Sequence, residues 1–237
     1  MKRTLIVIPA FNEAQSLPQL IGAVRQHVPH ADILVVDDAS TDATAALLPR
    51  LGVRWIRLSQ RLGTGSVVRT GLRWAAAHGY EIVVRIDGDG QHPPEHIHRL
   101  LDPLLCGSAD VVIGSRYVGK EPVDTPRLRR FLHLLLGEVL TLITQRLVTD
   151  PTSGFWAFGE NALHLLVDHH PSGYPEPELL LFLSRNGLRV IEVSVQMRTR
   201  ITGRTSLTPQ RTWSAIARLL LHLVVVPLRS TVGASRD

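Results

Sequence analysis

The chain has 237 residues, 44% of them apolar and 20% charged, which suits one or two domains of about 150 residues and excludes disorder. Its single cysteine, Cys106, excludes an internal disulfide framework and fits a reducing compartment. Basic residues outnumber acidic ones 26 to 21, and the excess lies late: Met197 to Asp237 holds seven arginines against one acid, so +6, and the first 196 residues carry −1. Such a basic tail points to an anionic partner: nucleic acid, a membrane surface or phosphate groups.

Thr4 to Ala10 is a continuous apolar run, the pattern of a strand buried on both faces of a parallel sheet, and too short for a signal peptide before Asn12 and Glu13. Ser16 is placed to cap a helix with Pro18 in its first turn, running to about Val28. Ile33 to Asp37 reads as a second strand, with Thr41 or Asp42 placed to cap the next helix, and Val53 to Leu58 as a third. A helix from Gly65 to about Ala77 is ended by His78-Gly79. Glu81 to Asp87 is the fourth strand, Pro94 to Leu105 a helix, and Ala109 to Ser115 the fifth strand. Five strand–helix alternations predict an α/β fold, a doubly wound sheet covered by helices on both faces. The later half is less regular. Helices are expected over Pro126–Val148, Asn161–Val167, Pro177–Asn186 and Pro209–Leu228, a turn at Asp150 to Gly154 before the aromatic run Phe155 to Phe158, and a strand over Leu188–Met197. No stretch reaches the ~20 uninterrupted apolar residues of a membrane span.

Ligands of open α/β sheets bind beyond the carboxyl ends of the strands. Those ends carry Pro9 to Glu13, Asp37 to Asp42 and Asp87 to Gln91, so six acidic side chains gather on one rim. Unpaired carboxylates so gathered repel one another unless a cation or sugar hydroxyls meet them. Asp87 and Asp89, with one glycine between them, offer hard oxygen ligands suited to Mg²⁺ or Mn²⁺ bridging phosphate oxygens. Each element has a plainer reading: Asp-Gly-Asp-Gly is a common turn, and Asp37-Asp38 can cap the following helix. No Gly-x-Gly-x-x-Gly follows the first strand, and neither a phosphate-binding loop with Gly-Lys-Ser/Thr nor a Gly-x-Ser-x-Gly elbow occurs. His96 and His98 lack the spacing of a paired metal site.

Ile8-Pro-Ala-Phe-Asn-Glu13, Val35-Val-Asp-Asp-Ala-Ser-Thr-Asp42, Asp87-Gly-Asp-Gly-Gln-His-Pro93 and Asp110-Val-Val-Ile-Gly-Ser-Arg116 resemble family 2 glycosyltransferases, most of all the branch of dolichyl-phosphate mannosyltransferase and its bacterial polyprenyl-phosphate relatives. Asp150-Pro-Thr-Ser-Gly-Phe155 and Arg200-Ile-Thr-Gly203 extend the likeness over about residues 3 to 207. The resemblance implies a GT-A type fold with a Rossmann-like, mostly parallel sheet, and metal-dependent, inverting transfer from a UDP- or GDP-sugar donor to a polyprenyl phosphate. By the same analogy Pro9, Asn12, Glu13, Asp38 and Asp87 hold the nucleotide, Asp87, Asp89 and Gln91 form the Mg²⁺ or Mn²⁺ and diphosphate site, and Asp89 is catalytic. Arg116, Arg130 and Arg200 are the best matches to arginines that hold the acceptor phosphate, a task that suits a bidentate guanidinium. Arg204 stands where the family often has lysine. Glu178 matches an acidic position of the family and Glu176 is an extra; either could serve as a base if the acceptor were a saccharide hydroxyl, the alternative reading.

A phosphate acceptor needs no base, because its second pKa near ~6 leaves it largely ionised. The helices over Arg127–Val148 and Pro209–Leu228 are apolar over wide faces with basic residues mostly near their ends. Core packing is the leading expectation for the first, and contact with a membrane surface or a small membrane-protein partner for the second. The expected organisation is a catalytic domain over residues 1–207 and an amphipathic helix and tail over 208–237, in a cytoplasmic protein held peripherally on the inner face of the membrane. A homo-oligomer is compatible with this. Nucleic acid is disfavoured as the partner, since aromatics are 5% of the chain and do not interleave with the arginines.

Overall fold

The computed structural model describes residues 2–119, 127–169 and 175–198, with the backbone alone for 127–133 and 175. Arg200, Arg204, the helix expected over 209–228 and the whole 208–237 segment lie outside the described residues, as does the side chain of Arg130.

Seven strands form one sheet in the order β3-β2-β1-β4-β6-β5-β7. They are β1 (Thr4–Ala10), β2 (Asp32–Asp37), β3 (Arg54–Arg57), β4 (Ile82–Arg85), β5 (Val111–Ser115), β6 (Trp156–Phe158) and β7 (Val190–Ser194). The doubly wound expectation holds for all but β6, the aromatic run, which lies antiparallel between β4 and β5. The alternation of strand faces divides the core in two. Leu5, Val7, Leu34, Val36, Val83 and Ile113 pack with α3 (Thr64–Ala77), α5 (Arg127–Thr144), α6 (Glu160–His169) and α7 (Pro175–Arg185). Ile6, Ile8, Val35, Val84 and Phe155 pack with α1 (Leu17–His27) and α4 (Ile97–Leu105) on the other face. Because β1, β2 and β4 are buried on both faces, their sequences read as apolar runs rather than alternations.

The differences from expectation are local. Ser16 occupies the N-cap position of α1 but makes no capping bond; its hydroxyl donates to Glu13 instead, 2.8 Å from Oε2. The helix after β2 shrinks to one turn, α2 (Thr44–Leu47), followed by a 3-10 turn over Leu48–Arg50. Pro94–His96 is likewise 3-10, so α4 begins only at Ile97. The long helix α5 ends at Thr144 rather than Val148, and Gln145 just after it adopts φ 53°.

Gly71 shows how closely α3 seats on the sheet: a Cβ there would come within 2.5 Å of Val7 Cγ1. Since Val7 is fully buried and unable to retreat, Gly71→Ala is expected to destabilise the protein by roughly 1–3 kcal/mol through overpacking, outweighing the gain in helix propensity. Thermal denaturation checks this.

Candidate active site

The rim at the carboxyl ends of β1, β2, β4 and β5 is assembled from loops tied to one another. Asn12 has φ 59°, a left-handed conformation that asparagine tolerates better than most residues. Its Oδ1 accepts from the backbone N–H of Thr41 at 2.8 Å and of Asp42 at 3.3 Å, while its own N–H donates to Ser40 Oγ at 2.9 Å. The next residue continues the seam, Glu13 N–H donating to Thr44 Oγ1 at 2.9 Å. Ala39 is also left-handed at φ 57°, a strained position held because the flanking Asp37 Oδ1 accepts from both the N–H and the hydroxyl of Ser40.

The carboxylates of the first two loops are met by donors within the protein. Asp37 is fully buried, with Arg57 Nε 3.3 Å from Oδ2 as an ion pair not aligned for a hydrogen bond. Asp38 accepts from Leu62 N–H at 2.7 Å and Gly63 N–H at 2.9 Å, one bond to each oxygen. Asp38 therefore anchors the loop leading into α3, where Gly63 takes φ 85°. Arg61, in the same loop, lies over the Phe11 ring at 3.9 Å from the centroid. Pro9 is part of β1, and its carbonyl accepts from Gly88 N–H at 3.1 Å, which brings the β4 loop against β1. A Cβ at Gly88 would sit 2.9 Å from that oxygen, so the glycine between Asp87 and Asp89 is required by close approach.

Asp87, Asp89 and Gln91 occupy one turn. Asp89 is 6% exposed and accepts from Gln91 N–H at 3.0 Å through Oδ1, and Gly90 between them takes φ 76°. Asp87 N–H donates to His92 Nδ1 at 2.9 Å. His92 is buried and stacked on Phe155, with burial pushing its pKa down, so the ring is neutral and Nε2 carries the proton. Beneath Asp87 lies Arg85, 4% exposed at the end of an otherwise apolar strand. Its Nε is 3.1 Å from Asp87 Oδ1 and its Nη1 is 2.9 Å from Glu176 Oε1 on α7. Burial works against the Arg85 charge, but the two carboxylates outweigh it and hold the guanidinium above its ordinary pKa. Burial pushes the Glu176 carboxyl up despite the pull of Arg85.

The Asp150 to Phe155 motif is legible atom by atom. Asp150, 1% exposed, takes a bidentate fork from Arg116, Nε to Oδ2 and Nη2 to Oδ1, both at 2.7 Å. Ser153 Oγ donates to Gly114 O at 2.6 Å, fixing the loop to β5. Gly154 passes so near Asp87 that a Cβ would fall 2.6 Å from Oδ2, and Phe155 supplies the stack under His92. From β7, Glu192 accepts from the N–H groups of Thr149 and Asp150, at 3.0 and 3.1 Å, and from the Thr149 hydroxyl. Burial pushes the Glu192 carboxyl up against those donors.

The expected acceptor-side groups are therefore arranged differently from bare cations. Arg116 stands at the rim beside Asp87's loop with two of its nitrogens on Asp150, and Nη1 makes no hydrogen bond among the described residues. Arg198, after β7, donates its N–H to Gln91 O at 2.9 Å and pairs with Glu95 at 2.6 Å. Glu178 is half-buried in the first turn of α7, where the helix dipole favours an acid, while Glu176 is buried against Arg85. Sequence reasoning missed Arg85 and Glu192, and quoted Asp150 and His92 in motifs without giving them a role. The usable signal for Arg85 was an arginine set between Val84 and Ile86, where water cannot reach it and a partner is obligatory.

Among the described residues no group of three or more His, Cys, Asp or Glu side chains is poised to hold a metal ion. Mg²⁺ and Mn²⁺ bound with a diphosphate take one or two carboxylates and complete their shell with phosphate oxygens and water. The donor set fits: two carboxylates and an amide oxygen from Asp87, Asp89 and Gln91, brought into one turn by Gly88, which packs on the Pro9 carbonyl.

The family model for Glycosyl transferase family 2 matches residues 5–166. The chain is 34% identical over 217 residues to a polyprenol monophosphomannose synthase of Mycolicibacterium smegmatis, covering 85% of this chain and 80% of that one. It is 32% identical over 218 residues to an undecaprenyl-phosphate mannosyltransferase of Micrococcus luteus, covering 87% and 88% of the two chains. In fold it matches a glucosyl-3-phosphoglycerate synthase of Mycobacterium tuberculosis, crystallised with Mn²⁺, uridine diphosphate and glucosyl-3-phosphoglycerate, at a TM-score of 0.69 and 22% identity over 95% of this chain and 79% of that one. The rim of β1, β2 and β4, its acidic turn and the loop before β6 all lie within the matched segment, and on these grounds the chain is a glycosyltransferase that belongs to glycosyl transferase family 2.

Proposed function

We propose that the protein transfers a sugar, with inversion, from a nucleotide-diphosphate sugar to a polyprenyl phosphate. The observation that carries this reading is the convergence of a carboxylate turn and an arginine through one loop: Gly154 touches Asp87 while Asp150, four residues earlier, holds Arg116. A diphosphate-bound cation and an anionic acceptor are the chemistry such neighbours suit. The names of the Mycolicibacterium and Micrococcus relatives support polyprenyl phosphate as acceptor and mannose as the first sugar to test.

In this reading Pro9, Asn12, Glu13, Asp38 and Asp87 hold the nucleotide, and Asp87, Asp89 and Gln91 hold Mg²⁺ or Mn²⁺. The ion, when bound, offsets charge developing on the departing diphosphate as a Lewis acid. Asp89 orients the diphosphate end of the donor from a turn fixed by Gln91 N–H. Arg116, with Arg130 and Arg200, draws the acceptor phosphate to the sugar carbon, and that phosphate attacks already ionised. Glu178 lies on the acceptor side, the group available as a base should the acceptor be a saccharide hydroxyl.

Peripheral membrane association belongs to the same proposal. No helix among the described residues is long and apolar enough to cross a membrane. In α5, Leu140 is buried and Leu136, Val139 and Ile143 pack on the core, as expected, while Leu134, Leu135 and Leu142 are exposed, as is Leu147 beyond its end. This supports a helix that packs inward on one face and meets lipid or a small membrane protein on another.

The test is transfer from radiolabelled GDP-mannose, and from UDP-sugars in parallel, to undecaprenyl phosphate in detergent with Mn²⁺ or Mg²⁺. Label is expected in the organic phase and to stay in water when EDTA removes the metal. Transfer to a saccharide acceptor alone, with no organic-soluble product, would replace this reading by the hydroxyl one.

A further inference from the structure

The sequence comparison with the family marks Glu178 and leaves Glu176 as an extra acid, and nothing assigns Arg85. Yet these two make the most deeply buried ion pair beside the acidic turn, with side chains 5% and 10% exposed at 2.9 Å. A buried ion pair is weak evidence for stability, since neutral residues of like volume often serve as well. The geometry suggests why an ion pair stands here. Arg85 reaches two carboxylates at once: Nε lies 3.1 Å from Asp87 Oδ1, and Nη1 lies on Glu176. With Glu176 present, one guanidinium charge is divided between two acids. Without it, the whole of that charge would fall on Asp87.

We infer that Glu176 is a positioning residue for divalent-metal binding, drawing the Arg85 charge away from Asp87 so that Asp87 keeps its negative charge for the cation. This rests on the assignment of Asp87, Asp89 and Gln91 to the metal and diphosphate site. Arg85 holds Asp87 in place through Oδ1, and Glu176 keeps that hold from becoming a competing cation. Because Glu176 rides on α7, two residues before Glu178, the same pair also links the donor-side turn to the helix that carries the acceptor-side acid.

The charge argument makes a prediction that a purely structural pair would not. Glu176→Gln keeps shape but frees Arg85 to neutralise Asp87, so Mn²⁺ binding in the presence of UDP or GDP should weaken about tenfold, the size of effect expected of one neighbouring charge. Adding a second change, as Arg85→Met/Glu176→Gln, removes the competing cation and should return Mn²⁺ affinity to the wild-type value or better. Binding is read without turnover from the electron paramagnetic resonance signal of free Mn²⁺, with UDP and GDP each at saturation, and folding from thermal melts of the same samples. If wild type takes up no Mn²⁺ with either nucleotide, the metal-site reading itself fails, and this inference with it. If wild type binds but Glu176→Gln binds within twofold of it, the metal site stands and the inference is overturned. A folded double variant that binds no better than Glu176→Gln, or tenfold worse than wild type, overturns it as well. Should the single variant not fold, the double variant against wild type still decides.

Discussion

Asp89→Ala is expected to leave a folded protein whose kcat for sugar transfer is lower by two to three orders of magnitude, roughly 10²–10³-fold, the scale of losing one preorganised electrostatic group at a reacting centre. The fold should hardly notice. Asp89 sits in a turn, where the bond it accepts from Gln91 N–H is local, and losing that bond costs about 1 kcal/mol, or roughly 2–4 °C in Tm for a chain of this size. Asp89→Asn preserves the shape and the acceptor oxygen for Gln91, and should lose activity almost as far with less change in Tm. Kinetics with donor and acceptor varied separately, alongside thermal melts, check both. An Asp89→Ala protein that is folded and fully active would remove Asp89 from the mechanism.

Asp150→Ala is expected to act in the opposite order, on stability first. The carboxylate is 1% exposed, receives the Arg116 fork and a bond from Arg116 N–H at 3.1 Å, and starts the loop that reaches Asp87. Removing one partner of a buried pair costs ~3–5 kcal/mol, and the partial exposure of Arg116, 22% for its side chain, places this case at the low end. A fall in Tm of roughly 10 °C follows. Activity should fall too, because Arg116 loses its orientation and Gly154 its fixed approach to Asp87. Arg116→Lys distinguishes the two effects: a lysine keeps the charge near Asp150 but cannot fork, so its larger deficit should appear in KM for the polyprenyl phosphate. A Tm change under ~2 °C for Asp150→Ala would mean that the ion pair carries little of the loop's stability.

The parallel half of the sheet was legible because burial on both faces writes β1, β2, β4 and β5 as mostly apolar runs, each followed by a polar turn. The three-residue β6 was not. Trp156, Ala157 and Phe158 carry no sign of direction, and only pairing with β4 and β5 reveals that the strand runs backwards. Among the site residues, Asp87 and Asp89 were found because two acids around a glycine at a strand end are chemically conspicuous. The roles of Asp38 and Arg116 were half legible: their positions at the rim follow from the sequence, but Leu62, Gly63 and Asp150, which occupy their polar atoms, lie 24 to 34 residues away along the chain. Pairings over such distances leave no local pattern, which is also why Arg85 and Glu176, 91 residues apart, went unremarked as a pair.

The reversed strand has a consequence for how this molecule can change. Because β6 begins at the same rim where β5 ends, the chain leaves at Ser115 and returns at Thr149 to nearly the same point, the two hydroxyls 2.7 Å apart, with Arg116 and Asp150 clasped just beyond. Everything between, α5 included, is a closed excursion fastened at its neck. Lengthening or rewriting such an excursion costs little in chain entropy, since closure grows only with the logarithm of its length. The face of α5 that packs on the core, with Leu136, Val139, Leu140 and Ile143, has to be kept, and added length belongs outside it. If Arg116 holds the acceptor phosphate as proposed, acceptor preference would diverge in that excursion while the donor half stays as it is, and chimeras exchanged between residues 116 and 149 that keep the core face of α5 are the natural unit for moving one without the other.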